Sequence, residues 1–266
     1  MQEKQGLITK KDLIEYFEEI GIKTGMVVEV HASLRDMGYI CGGAETFNDA
    51  LLEVVGYSGT IVMPMHCAEN EEPSYFKSPA IAFEDMPKYR ANMPCFNPKT
   101  SETYMMSKLV DNLRRRDKVI VSEHPNVAFV AIGKYAKLLC NYQNLSFALG
   151  EESPLGRLYG LKAHCLLVGV DYSSMTSLHL AEYKTEIRPI IMNGAAVLED
   201  GHRKWKKYLD YDLDSDDGFN DIGKRLENKD LVKELKINNC LCRLVRIDTA
   251  VEEGIKYFNE RKTTCK

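Results

Sequence analysis

Apolar side chains at Leu13, Ile14, Phe17 and Ile20 fall on one helical stripe. Thr9 stands at the capping position, Asp12 completes a capping box, and Gly21 is a suitable terminator. The period then changes. Residues 26–32 (MVVEVHA) alternate as a strand, residues 45–55 (ETFNDALLEVV) return to a helical stripe closed by Gly56, and residues 60–65 (TIVMPM) read as a second strand. Gly38, Gly42 and Gly43 punctuate the turn before that helix. The result is a β-loop-α-β unit with a glycine pair at the helix entrance.

Residues 67–100 carry five prolines and several acids, and no regular period runs through them. The pattern predicts a helix over 101–116, and strands over 118–121 and 127–132 joined through His124-Pro125. Residues 163–170 (AHCLLVGV) read as a buried strand, and residues 176–184 as the opening of a helix that Thr176 could cap. Residues 187–198 and 204–209, joined by an Asp200-Gly201 turn, suggest a hairpin. An acidic turn, short helices, a strand over 240–246 and a final helix from Asp248 complete the chain. Strands alternating with helices predict an α/β fold. No linker divides residues 1–266, so the expectation is a single domain. It would hold a central mixed β-sheet flanked by helices, with an added β-hairpin.

Composition narrows the function. The chain has 266 residues, 44% apolar and 28% charged, with a net charge of −4. That is ordinary globular composition without the basic excess a general nucleic-acid binder needs. No apolar run approaches the ~20 residues of a membrane span, and the first residues lack the apolar core of a signal peptide. A cytoplasmic location is expected. Eight scattered cysteines read as free thiols, and Cys240-x-Cys242 lacks the partners of a zinc site. No metal is expected.

Three segments could carry chemistry. Around His31, Ser33, Leu34, Gly42 and Gly43, glycines permit close backbone approach, and the next helix offers free N–H groups to an anion. In Ser122-Glu123-His124-Pro125, the proline biases the histidine towards extended geometry at a strand end. In Thr176-x-x-His179-x-x-Glu182, helical spacing makes His179 and Glu182 neighbours on one face. A carboxylate beside an imidazole raises its basicity and fixes its tautomer, which suits a general base. His66, at the end of the second strand, is the next candidate. The acidic run Asp210, Asp212, Asp214, Asp216, Asp217 fails an EF-hand alignment, because the positions that need Gly and Glu hold other residues. It could instead attract a cationic substrate.

Four pieces, in order, resemble the aminoglycoside 3-N-acetyltransferase family: VHASLRDMGYICGGAETFNDALLEVVGYSGTIVMP (30–64), SEHPNVAF (122–129), LGEESPLGRL (149–158) and LLVGVDYSSMTSLHLAE (166–182). The resemblance implies an α/β acyltransferase that takes acetyl-CoA as co-substrate and acetylates an amine of an aminoglycoside-like polycation. It puts His31, Ser33, Leu34, Gly42, Gly43, Ser122 and His124 on the CoA side. His179 and Glu182 fall at the catalytic end, and Thr176, Asp210 and Asp212 on the acceptor side. The chain departs from the family pattern at Met65, Val121, Ala128 and Met175. Those departures motivate an alternative, a CoA-binding member with lost or altered acceptor activity. A metal-dependent hydrolase built on His31, His66, His124 and His179 is a third reading. No nucleic-acid or membrane partner is expected.

Overall fold

The computed structural model describes residues 6–67, 69–104, 106–213 and 218–264. In chain order the elements are β1 (Leu7–Ile8), α1 (Lys10–Ile20), β2 (Val27–Ala32), β3 (Tyr39–Ile40), α2 (Gly43–Val55), β4 (Thr60–His66), α3 (Met86–Asn92), α4 (Lys108–Arg114), β5 (Ile120–Val121) and β6 (Val127–Gly133). There follow α5 (Ala136–Cys140), α6 (Pro154–Gly160), β7 (His164–Val168), α7 (His179–Thr185), β8 (Ile190–Glu199), β9 (His202–Tyr211), α8 (Phe219–Glu227), β10 (Val232–Ile237), β11 (Cys240–Arg246) and α9 (Ile247–Thr264).

The capping box at α1 forms as read. Asp12 N donates to Thr9 Oγ1 at 3.3 Å, and Thr9 N donates to the Asp12 carboxylate at 2.8 Å. Such a cap contributes ~1 kcal/mol. Gly21 closes the helix at φ 105°, a left-handed conformation that favours glycine.

Seven strands make one sheet in the order β10-β11-β7-β2-β4-β6-β5. β7, β2 and β4 run parallel at its centre, and antiparallel neighbours flank them on both sides. The sheet is therefore mixed, as expected. Alternation along β2 sends Val28 and Val30 to one face and Val27 to the other. The first face packs under α1, α2 and α4 through Leu13, Phe17, Phe47, Leu51 and Leu113. The second packs under the α5–α9 side through Leu139, Leu155, Leu178, Phe219 and Phe258.

β8 and β9 pair with each other as a separate hairpin. Asn70 ties it to the chain after β4, donating to Ala196 O at 3.1 Å and accepting from Ala196 N at 2.8 Å. Glu72 N adds a bond to Asn193 Oδ1 at 3.0 Å.

Three readings need correction. The helix expected over 101–116 forms only at Lys108–Arg114, because the residues before Ser107 carry no apolar stripe. The region read as short helices before residue 240 contains the edge strand β10, paired to β11 along its whole length. Thr176 lies in a 3-10 turn, Thr176–Leu178, and no side chain caps α7.

Candidate active site

The carboxyl ends of the parallel strands β2, β4 and β7 deliver the site, as open α/β sheets tend to do. His31 lies near the end of β2 and His66 ends β4. His124 sits in the β5–β6 connection, which returns to pair Val127 with His66. His179 opens α7, after the turn that follows β7. The four histidines are near enough that the imidazoles of His179, His31 and His124 act electrostatically on His66. Burial, and after it those neighbours, push His66 down to about 3. Segments far apart in sequence thus meet at one edge of the sheet. Among the described residues, however, the four do not converge into one metal-ligand set.

His179 and Glu182 are paired as the spacing predicts. Nδ1 of His179 lies 2.6 Å from Oε2 of Glu182, whose side chain is fully buried. The other carboxylate oxygen accepts from Arg188 Nε at 2.5 Å. The carboxylate is therefore held from both sides. Its bond to Nδ1 fixes the imidazole tautomer and leaves Nε2 as the outward nitrogen. The Phe219 ring packs beside His179 at a centroid distance of 5.0 Å and limits its rotation. Arg188 was not singled out in the sequence. Its signal is weak, because an arginine six residues after Glu182 lies beyond the end of α7 and has no helical relation to it.

His124 has a different task. Its Nδ1 accepts from Asn126 N at 3.2 Å and Val127 N at 3.0 Å, so Nε2 carries the proton and donates to Leu145 O at 3.2 Å. Burial pushes it down to about 4, so the ring is neutral near pH 7. Tyr208 stacks edge-on at 5.9 Å and donates from its hydroxyl to Asn126 Oδ1 at 2.6 Å. The Ser122 hydroxyl is buried; it accepts from Phe129 N at 2.8 Å and donates to Gln143 Oε1 at 2.7 Å. Both residues brace the loop that borders the site.

On the glycine side, Ser33 N donates to Val168 O at 2.8 Å, and Leu34 packs against the first core. Gly42 and Gly43 have φ of 82° and 58° at the entrance to α2. A side chain on Gly42 would strike Thr46, whereas the space above Gly43 is open. That turn can bring backbone N–H groups close to an anion.

The residues expected on the acceptor side are less uniform. Thr176 is buried. Asp210 lies within β9 and is buried, accepting from Tyr183 Oη at 2.5 Å, Tyr211 N at 2.9 Å and Ala148 N at 3.3 Å. Burial raises its pKa. It therefore differs from the exposed carboxylate that the acidic run suggests. Asp212 is half-buried beyond the strand, and Asp214, Asp216 and Asp217 lie outside the described residues. A cavity of about 240 Å³ opens beside Cys67 and Pro125, lined in part by Glu69 and Glu102. Of the four departures from the family pattern, Met65, Ala128 and Met175 are buried core side chains and Val121 is half-buried.

The sequence profile of the family described as aminoglycoside 3-N-acetyltransferase matches residues 30–259, and the chain belongs to that family. It is 37% identical over 251 residues to the SPbeta prophage-derived aminoglycoside N(3')-acetyltransferase-like protein YokD of Bacillus subtilis (strain 168), covering 94% of this chain and 92% of that one. The crystal structure of YokD superposes with a TM-score of 0.93 over 97% of this chain and 96% of its own. Aminoglycoside N(3)-acetyltransferase IX of Micromonospora chalcea is 32% identical over 80% of this chain and 75% of its own. A structure of AAC-IIIb with CoASH has a TM-score of 0.87 over 96% of this chain and 98% of its own; at 22% identity it shows the shared fold. Among the described residues no helix is long and apolar enough to cross a membrane.

Proposed function

We propose that the protein transfers the acetyl group of acetyl-CoA directly to an amine of an aminoglycoside-like polycation, with His179 as general base. The observation that carries this reading is the His179–Glu182–Arg188 chain, fully buried at its carboxylate and partly exposed at its imidazole. The amine nitrogen attacks the thioester carbonyl while His179 Nε2 takes its proton. The tetrahedral intermediate collapses, the C–S bond breaks, and the CoA thiolate leaves and can take that proton. Base catalysis of this kind contributes ~10²–10⁴-fold. Backbone N–H groups would stabilise the oxyanion. The glycine turn before α2 supports a CoA site on the His31, Ser33 and Leu34 side, because its open backbone suits phosphate.

No acyl-enzyme is required. Burial raises the thiols of Cys67, to about 11, and of Cys165, which argues against either as a nucleophile. Thr176 and Asp212, with Glu69 and Glu102 of the cavity beside Cys67 and Pro125, are the groups we assign to the acceptor side, while Asp210 accepts from Tyr183. We place the whole chain in one catalytic domain and the reaction in the cytoplasm, a reducing compartment in which its many free thiols persist.

Thiol release from acetyl-CoA against a panel of aminoglycosides and simple polyamines tests the reading. Release that depends on an aminoglycoside, with acetylated product by mass, is expected. CoA binding without amine-dependent release would point to a member that has lost the reaction.

A further inference from the structure

A second polar cluster lies deeper than the His179–Glu182 pair. Glu29 and His31 are two residues apart on β2, so both face the α5–α9 side of the sheet. Cys165, on the parallel neighbour β7, is the register partner of Glu29. Adjacent strands lie ~4.8 Å apart, which brings the thiol beside the carboxylate. One donor atom from each of the three residues falls within 4.8 Å of the others, and Glu29 Oε1 is 3.5 Å from His31 Nε2.

This arrangement is costly as it stands. Glu29 and Cys165 are fully buried. The Cys165 thiol is the polar neighbour that Glu29 meets, a weak donor for a fully buried carboxylate, and the buried Nε2 of His31 has no hydrogen-bond partner. Ser177 Oγ is also buried, and its polar neighbour is the same Cys165 thiol. A buried carboxylate normally finds donors or a cation.

We propose that Glu29, His31 and Cys165 form a binding site for a divalent transition metal of the zinc class. A thiolate, an imidazole and a carboxylate are a zinc-type donor set, and the sulfur disfavours magnesium and calcium. Tetrahedral zinc holds its donors ~3.3–3.7 Å from one another, so a small inward shift closes the cluster. Ser177 Oγ completes the shell or orders a water that does. Binding removes the proton from the Cys165 thiol and releases it to solvent. The metal would also hold the His31 ring, on the side we assign to CoA. Sequence spacing conceals the site because its two halves lie on strands far apart in the chain and adjacent only in the sheet.

The test uses the full-length protein, stripped with a chelator and titrated with zinc and with cobalt(II). One equivalent of zinc per chain should bind with a Kd below ~1 μM, and cobalt(II) should give a near-ultraviolet thiolate charge-transfer band. Cys165→Ala should abolish that band and weaken zinc at least ~100-fold; the isosteric Glu29→Gln should weaken zinc without removing the cobalt–thiolate band. Cys242→Ser, on the opposite face of the sheet, should leave both unchanged. Wild-type protein that melts cooperatively yet binds no zinc tighter than ~1 mM would overturn the proposal. So would a band that survives in Cys165→Ala, or zinc affinity unaltered in Glu29→Gln, which serves alone if the cysteine variant does not fold.

Discussion

Replacing Glu182 by glutamine keeps the shape of the side chain and removes its charge. Two unit charges 2.6 Å apart, the His179–Glu182 separation, attract by ~6 kcal/mol at an effective dielectric of about 20. Arg188 already draws on the same carboxylate, so we assign roughly half of that attraction to the imidazolium formed as the amine attacks. A loss of ~3–4 kcal/mol in the transition state corresponds to a ~10²–10³-fold fall in kcat. The amide also no longer fixes the tautomer. Because Glu182 is fully buried and the donor is assigned to the glycine-turn side, the acetyl-CoA KM should stay within about threefold. Arg188, 16% exposed, loses one charged partner, so Tm should fall as well. The assay is steady-state thiol release at saturating amine, run well below the melting range. The double variant with His179→Ala should be no slower than His179→Ala alone, since the two act as a unit. A Glu182→Gln enzyme within threefold of wild-type kcat would refute the reasoning.

Three further outcomes are expected. His124 falls from its ordinary value to about 4, so its contribution is complete above pH 6.5 and is lost as pH drops towards 4; it amounts to about 3 kcal/mol. Urea midpoints measured across that window should slope less steeply in His124→Asn, and an unchanged slope would mean that other groups carry it. Gly43→Asp should abolish CoA binding by calorimetry in a protein that still melts cooperatively, because the space above Gly43 is open and the new charge would repel phosphate; normal binding would move the donor site elsewhere. Neutralising Asp212, Asp214 and Asp216 to asparagine should raise the acceptor KM, more at low salt than at high salt. A KM that ignores both would make the run a solvated surface feature.

Local signals carried most of the fold. The capping box at Thr9, the alternation of β2 and the Asp200-Gly201 turn each depend on residues within a few positions of one another, and each formed as read. The His179–Glu182 contact was legible for the same reason, being three residues apart on one helix. β10 was hidden because its pattern of VKELKI is polar on an exposed edge, and only pairing with β11 makes it a strand. Arg188, the bracing of His124 by Leu145 and Tyr208, and the Glu29–Cys165 register rest on tertiary neighbours that no local period encodes. The acidic run shows the converse error. Composition treats Asp210 like its neighbours, while the strand turns it inward onto Tyr183.

The most direct test of direct transfer with His179 as base is amine-dependent thiol release by His179→Ala, with acetyl-CoA affinity measured by calorimetry on the same preparation. The account predicts a kcat lowered by ~10²-fold or more and a Kd for acetyl-CoA within a few fold of wild type. An unchanged kcat would contradict it.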